Sequence, residues 1–311
     1  MAILSSSSKV QNGKGVDRVF AAAPVKERSL RHLVPAPIRR RMRVVIDGVA
    51  DQFHPNIPPR RLRRHISPLW LDFKSSGNDQ LEFCIELAGL ESSQRVLDLA
   101  CGVGRFALPL TQYLTEQGTY EGLDPFERGI TWCRDHITRK YPNFHFTVAN
   151  VATPEDRNRS YTAANYRFPY DAQTFDFVYA GSLFTHLTEA GARNYLDQVA
   201  AVLKSGGRFV CTWLLFNSQS AKLLTGRSME RIWNKNCGTH RVIGQQEPEV
   251  SVLYDEASVR RWYADAGLGI IEPIRIDGTY CPSRIPKDRA QGMHLYYAHS
   301  IIALRDLPGR C

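Results

Sequence analysis

Val96-Leu97-Asp98-Leu99-Ala100-Cys101-Gly102-Val103-Gly104-Arg105 is the stretch on which the fold turns. Its first half is a short apolar run of the kind that is buried as a strand, and the glycines then punctuate it. Gly102 and Gly104 let the backbone come close to a ligand and take dihedrals barred to other residues. A helix expected over residues 106–114 presents free amides to whatever lies in that turn. Gly102-Val103-Gly104-Arg105-Phe106-Ala107 also satisfies the dinucleotide pattern GxGxxG/A, so the turn alone admits an NAD-dependent oxidoreductase.

Outward from this turn, short apolar runs alternate with helical stretches. The pattern predicts seven strands, over residues 95–100, 119–123, 145–149, 175–180, 207–214, 270–276 and 295–304. Strands separated by helices of about a dozen residues imply βαβ crossovers, hence an α/β fold with a mostly parallel sheet covered on both faces. No helical pattern separates the last two strands, so the final one is expected to return antiparallel. Residues 216–254 fit this core poorly and read as an inserted cap of helix and loop. A helix is predicted over 78–90 with Leu81, Ile85 and Leu87 inward, and an amphipathic one from Met42 to Phe53. Residues 1–35 read as a flexible tail, 36–77 as a basic helical extension, and 78–311 as the main domain.

In residues 1–70, Lys and Arg outnumber Asp and Glu 14 to 4, whereas the rest of the chain is near neutral with 26 against 27. A basic arm could touch nucleic acid, but Arg39 to Arg43 and Arg60 to Arg64 lack interleaved aromatics, so a solvated arm is favoured. The seven cysteines (84, 101, 133, 211, 237, 281 and 311) form no CxxC pair, which argues for reduced thiols and against a disulfide framework. Cys237 with His240 is too little for a zinc site, and none is expected. There is no apolar run of membrane-spanning length and no secretory signal, so a cytoplasmic protein is expected.

Further motifs weigh between the enzyme classes. Asp124, in Gly122-Leu123-Asp124-Pro125, ends the second strand, where a carboxylate can accept bonds from both hydroxyls of a ribose. After the third strand comes Ala149-Asn150-Val151. Phe175-Asp176-Phe177-Val178-Tyr179-Ala180 makes the fourth, and Leu203-Lys204-Ser205-Gly206-Gly207-Arg208-Phe209 enters the fifth. In this order the motifs resemble the class I S-adenosylmethionine-dependent methyltransferases, over about residues 78–215. The first loop of that family reads acid-x-Gly-x-Gly-x-Gly; Asp98, Gly102 and Gly104 match it, and Ala100 replaces the first glycine. The resemblance implies a Rossmann-like sheet and an S-adenosylmethionine site built from Asp98, Leu99, Ala100, Cys101, Gly102, Gly104, Asp124, Pro125, Asn150, Val151 and Ala180, with S-adenosylhomocysteine as product. Asp98 would lie near the methionine end, Asp124 on the ribose, and Asn150, usually an acid in the family, on the adenine amino group.

Methyl transfer from a sulfonium is an in-line displacement, so the chain must align the acceptor and, for a hydroxyl or ammonium, take up a proton. His186, in Gly181-Ser182-Leu183-Phe184-Thr185-His186-Leu187 after the fourth strand, is the candidate base. Tyr166 and Arg167 in an aromatic loop, Trp213 at the end of the fifth strand and Tyr280 are candidate acceptor contacts. Similar stretches occur in bacterial small-molecule and glycan-associated methyltransferases. Neither an Asn/Asp-Pro-Pro-aromatic motif nor a Pro-Cys-Gln nucleophile is present, so base methylation of those two types is unsupported. The expected acceptor is an O or N atom of a small or sugar-containing molecule. An RNA or protein methyltransferase using the basic arm, a non-catalytic cofactor-binding module and a dehydrogenase are the alternatives.

Overall fold

The computed structural model describes residues 57–64, 72–154, 156–223, 235–242, 252–275 and 298–305. The helix expected over 42–53 lies outside these. In chain order the elements are α1 (Arg60–Arg63), α2 (Phe73–Glu86), β1 (Arg95–Leu99), α3 (Ala107–Leu110), β2 (Thr119–Asp124), α4 (Glu127–Cys133), β3 (Phe144–Val148), β4 (Phe175–Ala180), α5 (Glu189–Val202), β5 (Leu203–Phe216), α6 (Ser218–Leu223), β6 (Lys235–Asn236), β7 (His240–Val242), β8 (Val252–Asp255), α7 (Glu256–Asp265), β9 (Leu268–Arg275) and β10 (Ala298–Arg305).

The core of the sheet runs β3-β2-β1-β4-β5 with parallel pairing throughout. The chain leaves β1 in one direction, through β2 to β3, and comes back to β4 on the other side of β1. A crevice therefore opens beyond the carboxyl ends of β1 and β4, where the crossovers diverge. β10 lies antiparallel against both β5 and β9, as expected from a sequence without helical periodicity before the last strand.

Side chains alternate across the strands, so the sheet carries two apolar layers. Val96, Tyr120, Phe146, Phe177 and Val210 pack on one face with Cys84 of α2. Leu97, Val178, Phe209, Cys211 and Trp213 pack on the other with Leu196 of α5 and Tyr263 of α7. Among the described residues no helix is long and apolar enough to cross a membrane.

Three expectations need correction. Among the described residues the sheet has ten strands rather than seven, because the insertion expected as helix and loop contributes β6, β7 and β8. β8 pairs in parallel with the far end of β5, Leu215 opposite Tyr254, and β7 returns antiparallel on β8. The helix expected from residue 78 begins at Phe73, because the Asp72 side chain accepts the Ser75 N–H and caps it. The 77/78 boundary drawn between extension and domain thus falls inside α2. Phe73, Ser76, Gly77, Gln80 and Cys84 are buried, Leu81 and Ile85 pack against the core as expected, and Leu87 is 41% exposed. Lastly, the helix after the glycine turn spans only residues 107–110 before it breaks into turns.

Candidate active site

The turn from β1 toward α3 is built on left-handed backbone. Ala100, Gly102 and Gly104 have φ of 62°, 59° and 78°. Ala100 thus holds a conformation that costs a Cβ-bearing residue about 1–2 kcal/mol, which marks the turn as fixed by its surroundings. Its N–H donates to the Leu123 carbonyl, tying the turn to the end of β2.

Two buried carboxylates flank this turn. Asp124, 8% exposed, accepts the Gly102 N–H at 2.8 Å through Oδ2 and the Phe126 N–H at 2.7 Å through Oδ1. Each oxygen keeps a further lone pair, so this carboxylate both shapes the turn and can still receive a diol. Burial raises its pKa, and the two backbone donors oppose that shift. Asp98, 2% exposed on the layer faced by α2, accepts the Tyr120 hydroxyl at 2.6 Å. Burial is the largest cause of a rise in its pKa to about 7; the Tyr120 bond opposes it, the Asp124 charge adds to it and Arg105 lowers it. A cation placed against Asp98 would restore its ionised form.

An open cleft adjoins the turn, lined by Asp98, Ala100 and Cys101 together with Gly181 after β4. Phe73 and Gln80 close it from α2. Gly77 brings this helix down onto the Arg105 carbonyl, where any Cβ would overlap the oxygen. The buried carboxylates, the left-handed turn and the cleft suit an adenosyl sulfonium with its ammonium group: diol at one acid, cation at the other, backbone between.

On the other side of Asp124, the Asn150 side-chain oxygen accepts the Ser160 N–H at 3.1 Å. Val151, buried, bridges Tyr161. The Pro125 carbonyl accepts from Arg159, whose Nε also binds Asp156 at 2.7 Å. Leu99 and Ala180 are buried at the tips of β1 and β4.

The acceptor candidates separate. Tyr166 is buried in a row of rings with Tyr161 and Phe168, its loop held by Asn194, which donates to the Ala163 and Tyr166 carbonyls. Arg167 is exposed. His186 is exposed on a short turn, Phe184–His186, between β4 and α5. Trp213 requires correction: β5 runs on to Phe216, so Trp213 stands below the sheet's tip, fully buried, with its indole N–H on Cys211 Sγ and the Tyr263 hydroxyl. It has no surface to offer an acceptor. Tyr280 lies outside the described residues.

Sequence reasoning missed Tyr120, Phe73 and Gln80, because each meets the site only through the register of β1 on β2 or the docking of α2. Burial, with the nearby carboxylates, raises the Cys101 pKa, and burial brings Cys211 to about 12, so both thiols stay protonated. No group of metal-ligating residues occurs among the described residues.

The chain is similar to known proteins in sequence and fold. Residues 96–207 match the methyltransferase domain family. A 123-residue stretch is 28% identical to a demethylmenaquinone methyltransferase of Shouchella clausii, spanning 39% of this chain and 46% of that protein. Another, of 73 residues, is 34% identical to a 23S rRNA (uracil(1939)-C(5))-methyltransferase of Acinetobacter baumannii, spanning 22% of this chain and 16% of the other. The chain thus spans less than half the length of these curated relatives. The crystal structure of the PH0226 protein from Pyrococcus horikoshii superposes with a TM-score of 0.50 at 17% identity, over 78% of this chain and 97% of that one, which supports the fold.

Proposed function

Since this chain carries a class I S-adenosylmethionine-dependent methyltransferase domain, we propose that it transfers a methyl group by in-line displacement to an O or N atom of a small or sugar-containing acceptor. The observation that carries the reading is the pair of buried carboxylates, Asp98 and Asp124, on either side of a left-handed turn that opens into a cleft. S-adenosylmethionine, when bound, supplies an electrophilic methyl on a sulfonium. Asp124 holds the ribose hydroxyls and Asp98 faces the methionine ammonium. Asn150, with Val151, borders the adenine; because its amide oxygen already takes the Ser160 N–H and is uncharged, this contact is weaker than a carboxylate's by about 1 kcal/mol. Phe73 and Gln80 restrict water at the methionine end. An imidazole at the carboxyl edge of the sheet takes the acceptor's proton, and His186 is exposed there.

In the described part of the basic segment, one arginine packs on the domain while Arg61 and Arg64 are exposed. Arg63 donates to the Pro58 carbonyl at 2.8 Å and lies over the Phe73 ring, a packing role beside the cleft. Calorimetry with S-adenosylhomocysteine and labelled-methyl transfer into a metabolite extract test the proposal. Asp124→Ala is expected to abolish measurable cofactor binding; intact affinity would contradict the ribose assignment.

A further inference from the structure

Gln80 is a buried amide that faces the cleft. It is 2% exposed on α2 and lines the cleft wall, and no described residue hydrogen-bonds its side chain. Buried polar groups are almost always paired, so an amide left open toward a cleft points to a partner that arrives with a ligand.

Its place on the helix indicates the chemistry of that ligand. Gly77, one turn earlier, seats α2 on the Arg105 carbonyl, and a Cβ there would also touch the Arg105 side chain. Cys84, one turn later on the same buried face, lies near Asp98: burial is the main cause of its raised pKa, and the Asp98 charge adds to it. Gln80 therefore stands between a guanidinium and a carboxylate. These two charges feel each other, since Arg105 favours the ionised form of Asp98 against the larger effect of burial. Of the described residues that line the cleft, Asp98 and Arg105 carry charge, so with Gln80 the wall holds one anion, one cation and one amide. An ammonium and a carboxylate on one carbon match such a wall, whereas a phosphate or a lone amine leaves one of its charges unanswered.

We propose that Gln80 reads the α-carboxylate of the cofactor's methionine half and makes this chain selective for the carboxylated over the decarboxylated cofactor; this deepens, and rests on, the methyl-transfer reading above. A carboxylate only accepts, so the Gln80 amide nitrogen donates to it beside the Arg105 charge. Asp98 takes the ammonium, and the Gln80 oxygen is able to accept from the same group. The amide adds no net charge, so Asp98 and Arg105 stay balanced against the zwitterion.

Calorimetry on the full chain compares three probes: S-adenosylhomocysteine, its decarboxylated analogue, and methylthioadenosine, which lacks the amino-acid half. The wild-type chain is expected to bind S-adenosylhomocysteine about tenfold or more tighter than the decarboxylated analogue. Equal affinities overturn the proposal. Gln80→Met keeps the length of the side chain. It is expected to weaken S-adenosylhomocysteine about tenfold or more, to leave methylthioadenosine unchanged and, with the unpaired amide gone, to melt no lower than wild type without ligand. Undiminished S-adenosylhomocysteine binding by Gln80→Met overturns the proposal, and so does an equal loss for methylthioadenosine, the mark of a packing role. Gln80→Glu turns a carboxylate toward the cofactor's own and is expected to reverse the preference in favour of the decarboxylated amine; a retained preference for S-adenosylhomocysteine contradicts the assignment. A wild-type chain that binds neither S-adenosylhomocysteine nor methylthioadenosine overturns the methyl-transfer reading and this assignment with it.

Discussion

Asp98 is an acid whose folded environment opposes its ionisation, with its pKa near 7 against an ordinary value near 4. The carboxyl therefore holds its proton more tightly folded than unfolded. Its favourable contribution is complete below about pH 4 and lost as pH rises to about 7, a loss on the order of 4 kcal/mol at most. Thermal melts of the free chain should show this decline, and Asp98→Asn should flatten it and melt higher at pH 8 while weakening S-adenosylmethionine binding. An Asp98→Asn chain that binds normally would remove Asp98 from the site. Ala100 offers a second test. At φ 62° glycine escapes the strain alanine bears but has more unfolded-state freedom to lose, so Ala100→Gly should change stability by less than about 1 kcal/mol. Ala100→Val places a β-branched side chain there, and a loss of about 2 kcal/mol with loss of cofactor binding is expected in paired melts and calorimetry. These residues were legible in the sequence because the strand, the turn and the acid are contiguous. Tyr120 was not, since its bond to Asp98 exists only through strand pairing.

At the scale of elements, α2 decides how closed the cleft is. Gly77 is the point of closest approach, and Gly77→Ala must lift the helix from the Arg105 carbonyl. The expected outcome is a cofactor affinity at least about tenfold lower, with Asp124 and the glycine turn untouched. A wild-type affinity would show that α2 does not cover the bound cofactor. The sequence located this helix and its Leu81 and Ile85 contacts with the core, but it missed the N-cap at Asp72 and took Leu87, the exposed C-cap residue, as inward. Trp213 was misplaced for a similar reason: two further residues of β5 put it below the edge, in the core with Phe184 and Tyr254. Strand ends depend on partners, and β8 is the partner that lengthens β5.

Over the whole molecule, the parallel order around β1 and the antiparallel return of β10 follow from alternating apolar runs and from a sequence without helical periodicity before the last run. The small strands β6–β8 did not follow, since two to four residues carry too little pattern to separate a strand from a loop. A pocketed neutral acceptor also has a consequence at this scale. Methyl-transfer rates should change little between about 50 and 200 mM salt, whereas a nucleic-acid substrate bound through the basic arm would lose orders of magnitude in affinity. The account rests on one cradle, and a crystal structure of the chain grown with S-adenosylhomocysteine tests it most directly. The expected density places the ribose diol on Asp124 and the homocysteine ammonium at Asp98 beneath α2; a cleft left empty at saturating ligand, or occupied only by a nicotinamide nucleotide when that is supplied, would contradict it.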